Sequence, residues 1–237
     1  MINPIFVALD TSNHARALAL AAAVRGSVGG VKLGLEYFVA NGPSGVAEIA
    51  ALGLPLFLDL KLHDIPNTVA KAVAVLAPLA PAVMTVHASG GREMLRAARD
   101  AAPITTRIVA VTVLTSLDET DLAATGIADG PAEQVARLAS LVRASGCDGI
   151  VCSGAEVASA RAIWPDGYFV VPGIRPSGGD LGDQKRVMTP AQALSAGASM
   201  LVIGRPITDA PDPAAAAQAI AASLEAAATL VASAAGK

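Results

Sequence analysis

Asp59, Lys61 and Asp64 lie in the segment Leu-Asp-Leu-Lys-Leu-His-Asp-Ile-Pro-Asn-Thr (58–68), at the end of a run that otherwise has the character of a buried strand. Residues two apart on an extended strand share a face, so Asp59 and Lys61 point one way and Leu58, Leu60 and Leu62 the other. Pro66 ends the strand and leaves Asp64 on the following loop, where it can fold back toward the pair or reach a neighbouring chain. A lysine flanked by two carboxylates keeps its proton and keeps the carboxylates ionised in return. A cationic Lys61 suits proton donation, whereas a Schiff-base lysine must be neutral. The chemistry implied is general-acid catalysis on a group that becomes negative. A buried ion network at the mouth of a barrel would use the same residues.

Other polar residues stand where apolar runs end. Asp10 closes the first run, Lys32 lies near the end of the second, and Thr115 and Ser116 follow the fifth. If Lys32 reaches Asp59, the charges alternate as Lys32, Asp59, Lys61, Asp64, which offsets part of their desolvation and pre-orients them. The seventh run leads into Pro172-Gly173-Ile174-Arg175 and the eighth into Gly204-Arg205-Pro206. Arginines and glycines after the last two strands of a barrel fit a phosphate, so a phosphorylated substrate is expected. Between them, 173–189 carries Gly178, Gly179, Gly182, Gln184, Lys185 and Arg186, and a long glycine-rich loop of this kind suits a lid, with Arg175 and Gln184 gripping the phosphate.

The elements that must position these residues alternate. Eight short apolar runs (5–10, 30–33, 56–61, 83–87, 107–113, 149–152, 168–171 and 200–203) are separated by amphipathic stretches, among them 67–79, 91–101, 131–144 and 190–196. Eight such alternations with no linker between them predict a (β/α)₈ TIM barrel, α/β in class, as a single domain over residues 1–237. Ser145-Gly146 and Ala196-Gly197 read as helix stops on the face opposite the chemistry.

Composition narrows the function. A net charge of −3, no basic block and 3% aromatic residues disfavour a nucleic-acid polymer as partner. Mean hydropathy is high at +0.54, yet no apolar run approaches the roughly 18 residues a membrane span needs. The alanine-rich stretch 213–235 is broken by Gln218, Ser223 and Glu225 and reads as a surface helix. The N-terminus lacks a basic secretion leader, so the cytoplasm is expected. Cys147 and Cys152 have neither redox nor zinc spacing, and His14, His63 and His87 are scattered, so no metal is expected. Nucleotide-phosphate motifs of the Walker and Rossmann types do not occur, and no cofactor is expected. His63 reads as a structural hydrogen-bonding group.

Together these residues resemble the orotidine 5′-phosphate decarboxylase family, the last enzyme of de novo UMP synthesis. The resemblance spans nearly the whole chain: ALD with Asp10, VKLG with Lys32, DLKLHDIPNT from Asp59 to Thr68, VHASGG, VTVLTS with Thr115, PGIRP with Arg175, DQKR with Gln184, and IGRPIT with Gly204 and Arg205. It implies cofactor-free decarboxylation of orotidine 5′-monophosphate to UMP and carbon dioxide. Asp59 would lie against the departing carboxylate and Lys61 would protonate C6. Lys32 would orient Asp59 and touch the ribose, Asp10 would bind ribose hydroxyls, and Thr115 would face the pyrimidine. Gln184, Gly204, Arg205 and Arg175 would serve the phosphate. The resemblance also implies a homodimer in which Asp64 and Thr68 complete the neighbouring site.

Two rivals stay in view. A sugar-phosphate decarboxylase or epimerase on a related barrel would use magnesium and an acidic ligand where this chain has Lys32, whose charge repels a metal. A non-catalytic sensor of phosphorylated ligands would need none of the four charges.

Overall fold

The computed structural model describes residues 3–175 and 188–235. Eight parallel strands, β1 (Ile5–Ala8), β2 (Gly30–Gly34), β3 (Leu56–Leu62), β4 (Val83–His87), β5 (Arg107–Val111), β6 (Gly149–Val151), β7 (Tyr168–Val171) and β8 (Met200–Ile203), close in sequential order with β8 beside β1. Around them lie α1 (His14–Val24), α2 (Leu35–Ala50), α3 (Pro66–Leu76), α4 (Gly91–Ala101), α5 (Glu119–Ala124), α6 (Pro131–Ala144), α7 (Val157–Ile163), α8 (Pro190–Ser195), α9 (Arg205–Thr208) and α10 (Pro213–Ala235). This is the (β/α)₈ barrel that the alternation of runs predicts. Strands covered on both faces carry near-continuous apolar sequence, which is why they read so plainly.

Local chemistry explains the helices that follow the site. Pro66 does not end β3, which stops at Leu62; it occupies the first turn of α3, where its missing N–H costs nothing. Val69, Val73 and Leu76 then recur at helical spacing and bury one face of α3 against the barrel. The helix α8 starts with a capping box, Thr189 accepting from the Gln192 N–H and Gln192 reaching back to the Thr189 N–H. Helix α2 bends at Gly42, whose φ of 62° only glycine adopts freely, just before Pro43.

The interior of the barrel is solid in its lower half. Phe6, Phe57, Val109 and Val170, one from each odd-numbered strand, form a layer with Val83 and Met200, all at most 6% exposed. Gly30 makes room for the Phe6 ring: a Cβ there would lie 2.4 Å from Phe6 Cε1. A larger cluster fills the space between strands and helices, and it includes Leu56, Leu58 and Leu60. Period two then dictates what stands above the floor. Lys32 follows Gly30 by two residues, Thr85 follows Val83, and Asp59 follows Phe57, so all three rise on the inner face at the C-terminal ends of their strands.

Candidate active site

The inner residues open into a cavity of about 550 Å³ at the C-terminal mouth, lined by Asp10, Lys32, Asp59, Lys61, Thr115, Arg175, Gly204 and Arg205 among others. Its charges form a chain. The Lys32 Nζ lies 2.5 Å from Asp10 Oδ1 and 3.9 Å from Asp59 Oδ2, and the Lys61 Nζ lies 2.7 Å from that same Asp59 oxygen. Lys32 is almost wholly buried, Asp59 and Lys61 are partly covered, and Asp10 is more than half exposed. Gly34 leaves space for this packing, since a Cβ on it would come within 3.1 Å of Lys32 Nζ and 3.3 Å of Asp10 Oδ1.

Asp59 and Lys61 meet, but not by simple alternation along a regular strand. Leu58 pairs with Met84 and Leu62 with Val86, so three residues of β3 face one residue of β4, Thr85. Within this bulge Lys61 adopts φ 52°, a left-handed conformation that costs a non-glycine residue about 1–3 kcal/mol. Strained backbone of this kind is found where a side chain must be re-aimed. The Lys61 N–H donates to Thr85 Oγ1 at 2.9 Å, and the Thr85 hydroxyl donates to Asp59 Oδ1 at 3.1 Å.

The loop that carries Asp10 is pinned from α2. Glu36 accepts from the Ser12 N–H at 3.0 Å, and the Asn41 amide donates to the Ser12 carbonyl at 3.1 Å. His14 lies within hydrogen-bonding distance of Tyr37 and of Glu48, which ties the start of α1 to α2. On the opposite rim, Gly204 precedes α9 and Arg205 opens it, while Arg175 is buried beside the wall with its backbone N–H bonded to the Met188 carbonyl.

His87 at the end of β4 stacks near His63, ring centroids 5.3 Å apart. Burial, then the neighbouring His63 and Lys61, push the His87 pKa below its usual 6.5, while Asp59 pulls the other way. The net effect favours a neutral imidazole. Among the described residues no group of three or more His, Cys, Asp or Glu side chains gathers as a metal site, and no helix is long and apolar enough to cross a membrane.

The barrel is shared with known proteins. The model of the "Orotidine 5'-phosphate decarboxylase / HUMPS family" matches residues 3–220. The chain belongs to this family. Its similarity to curated members covers most of the chain: orotidine 5'-phosphate decarboxylase of Sphingopyxis alaskensis is 62% identical over 94% of this chain and 100% of that protein. The enzyme of the same name from Novosphingobium aromaticivorans is 57% identical over the same shares. Among solved structures, orotidine 5'-phosphate decarboxylase from Lactobacillus acidophilus is 37% identical and superposes with a TM-score of 0.83, covering 94% of this chain and 99% of that one.

Against that family membership, the residues singled out in the sequence divide into three groups. Asp10, Lys32, Asp59, Lys61, Thr115, Arg175, Gly204 and Arg205 all line the one cavity. Asp64 and Thr68 do not: both are exposed, and the Asp64 carboxylate accepts from the Ile65 N–H at 2.6 Å and forms no ion pair among the described residues. The full four-charge alternation is therefore not assembled within one chain, because the bulge spends itself on aiming Lys61 inward and the chain then turns outward into α3. Gln184, with the rest of 176–187, lies outside the described residues. Arg16 is an addition that sequence reading missed. It lines the cavity from α1 and pairs with Asp209 at 3.3 Å across the rim, and a lone arginine on an amphipathic helix gives no signal of that.

Proposed function

We propose that this family member decarboxylates orotidine 5′-monophosphate through the Lys32, Asp59 and Lys61 charge chain, with Lys61 as the proton donor. The protein is an orotidine 5′-phosphate decarboxylase, forming UMP and carbon dioxide in the last step of UMP biosynthesis. The single observation that carries the mechanistic reading is the 2.7 Å contact between Lys61 Nζ and Asp59 Oδ2 inside the cavity at the barrel mouth.

The bond from C6 to the carboxylate breaks, carbon dioxide leaves, and the electron pair left on C6 takes a proton from the Lys61 ammonium, which is replenished from solvent. Lys61 opposes the negative charge as it grows on C6, and Asp59, paired with it at 2.7 Å, aims its ammonium. Because these charges are fixed before the substrate arrives, little reorganisation is needed as the barrier is crossed. Asp10 and Lys32 take the ribose side, Thr115 faces the pyrimidine, and Gly204, Arg205, Arg175 and Gln184 hold the phosphate. Phosphate contacts made far from C6 supply binding energy that the reacting centre can use. No cofactor enters, and the Lys32 ammonium fills the place between Asp10 and Asp59 that a divalent cation would need.

A homodimer belongs to the same proposal. The 63–68 segment is exposed, with Ile65 66% accessible, so a second copy covering it would bury Ile65 and bring Asp64 and Thr68 to the neighbouring mouth. The cytoplasm is the setting proposed, with Cys147 and Cys152 as buried free thiols.

The test follows the loss of pyrimidine ultraviolet absorbance when the purified protein meets orotidine 5′-monophosphate. Rapid conversion that EDTA leaves unchanged is expected. Lys61→Ala should nearly abolish turnover while largely sparing UMP binding, and near-parental turnover in that variant would remove Lys61 from the proton-transfer role.

A further inference from the structure

The bulge in β3 leaves one residue of β4 opposite the two reacting side chains, and that residue is Thr85. We propose that the Thr85 hydroxyl is a positioning group for the decarboxylation, locking the Asp59 carboxylate and the Lys61 backbone into a single geometry. The inference rests on the reading of Asp59 and Lys61 given above.

Thr85 is 0% exposed, a polar side chain among the apolar residues of a barrel wall. Its hydroxyl has one proton and two lone pairs. Ionised Asp59 can only accept, so the proton points at Asp59 Oδ1, 3.1 Å away. A lone pair is then left for the Lys61 N–H at 2.9 Å. On the way into β3 the Leu56 carbonyl accepts from Ala82 beside β4 and the Pro55 carbonyl accepts from Val31 of β2, so regular alternation would turn the Lys61 N–H toward β2. The bulge turns it toward β4 instead, where the Thr85 hydroxyl accepts it.

Both bonds act where the geometry is least secure. Lys61 sits at φ 52°, a conformation its backbone does not favour alone. Asp59 has two oxygens with separate duties: Oδ2 faces both lysines, and Oδ1 is held by Thr85. Fixing Oδ1 sets the carboxylate plane and therefore the direction in which Oδ2 meets Lys61 Nζ. A side chain that only filled space would constrain neither.

The experiment compares Thr85→Val, which keeps the shape and loses the hydroxyl, with Thr85→Ser, which keeps the hydroxyl and loses a methyl. Steady-state decarboxylation and UMP affinity are measured for both and for the parent. Thr85→Val should lower kcat by about 10- to 100-fold, the scale set by misplacing a reacting group by about 1 Å. KM and UMP affinity should change by less than about threefold, since the phosphate and ribose contacts are untouched, and Thr85→Ser should stay within about fivefold of the parent in kcat. Parental kcat in Thr85→Val overturns the proposal while leaving the decarboxylase reading intact. Equal losses in the two variants also overturn it, because packing and not the hydroxyl would then be responsible. A parent protein without turnover sinks both readings together.

Discussion

Replacing Lys32 with methionine separates what the buried ammonium does for folding from what it does for the reaction. Its Nζ stands 3.9 Å from Asp59 Oδ2, with side chains only 8% and 16% exposed, so solvent screens the pair weakly. At that separation and an effective dielectric constant near 20, the gross attraction is about 4 kcal/mol. Folding should feel little of it, because removing the ammonium also removes the cost of burying it. Asp10, more than half exposed, takes water in place of Lys32, and Asp59 keeps Lys61 and Thr85. Catalysis has no such compensation. The substrate brings its own negative charge to a mouth that has lost one of the two cations facing Asp59 among the described residues. Loss of one charge-assisted contact, about 1.5–3 kcal/mol, corresponds to roughly 10- to 150-fold in kcat/KM. The assay is initial-rate decarboxylation followed by ultraviolet absorbance, with a thermal melt on the same samples. A folded Lys32→Met variant whose kcat/KM falls less than tenfold would refute the charge-chain reasoning.

Three further outcomes follow from the geometry. Arg205→Ala should weaken UMP and orotidine 5′-monophosphate by at least tenfold and leave uridine nearly unchanged, read by titration calorimetry; equal losses for uridine and UMP would contradict a phosphate role. Gly34→Ala places a Cβ 3.1 Å from Lys32 Nζ and 3.3 Å from Asp10 Oδ1, so kcat/KM should drop about tenfold with the fold retained, checked by kinetics beside circular dichroism. Because His87 titrates below its ordinary 6.5 when folded, the unfolded chain binds the proton more readily, and this contribution to stability is present above about 6.5 and lost as pH falls below it. Urea midpoints at pH 7.5 and 5.5 should therefore differ more for the parent than for His87→Gln.

The barrel was legible because strands buried on both faces announce themselves as apolar runs, and the charged residues stood out against those runs. Boundaries were less so. The first, fifth and sixth runs overshoot their strands because Leu9, Val113 and Cys152 stay buried just past the strand ends, where Leu9 and Cys152 still donate backbone hydrogen bonds to the neighbouring strand. The Asp59 and Lys61 contact was anticipated from residue types, yet its cause was not: counting by twos cannot detect two additional residues opposite Thr85. Thr85 itself, inside Val-Met-Thr-Val-His, is an ordinary β-branched strand residue until its neighbour across the ladder is known. The placement of Asp64 depends on where the chain turns after the bulge, and that turn is a tertiary property.

The packed layer of Phe6, Phe57, Val109 and Val170 has a consequence for traffic. A barrel packed at its base opens, among the described residues, at its C-terminal mouth, so in the proposed reaction substrate, carbon dioxide and nucleotide product share one rim. Carbon dioxide is small and uncharged, whereas UMP in the proposed site leaves only by giving up the phosphate contacts that the next substrate would make. In the proposed site, occupancy by UMP and occupancy by the next substrate are therefore mutually exclusive, and the floor beneath them makes the nucleotide product a competitor of its own precursor.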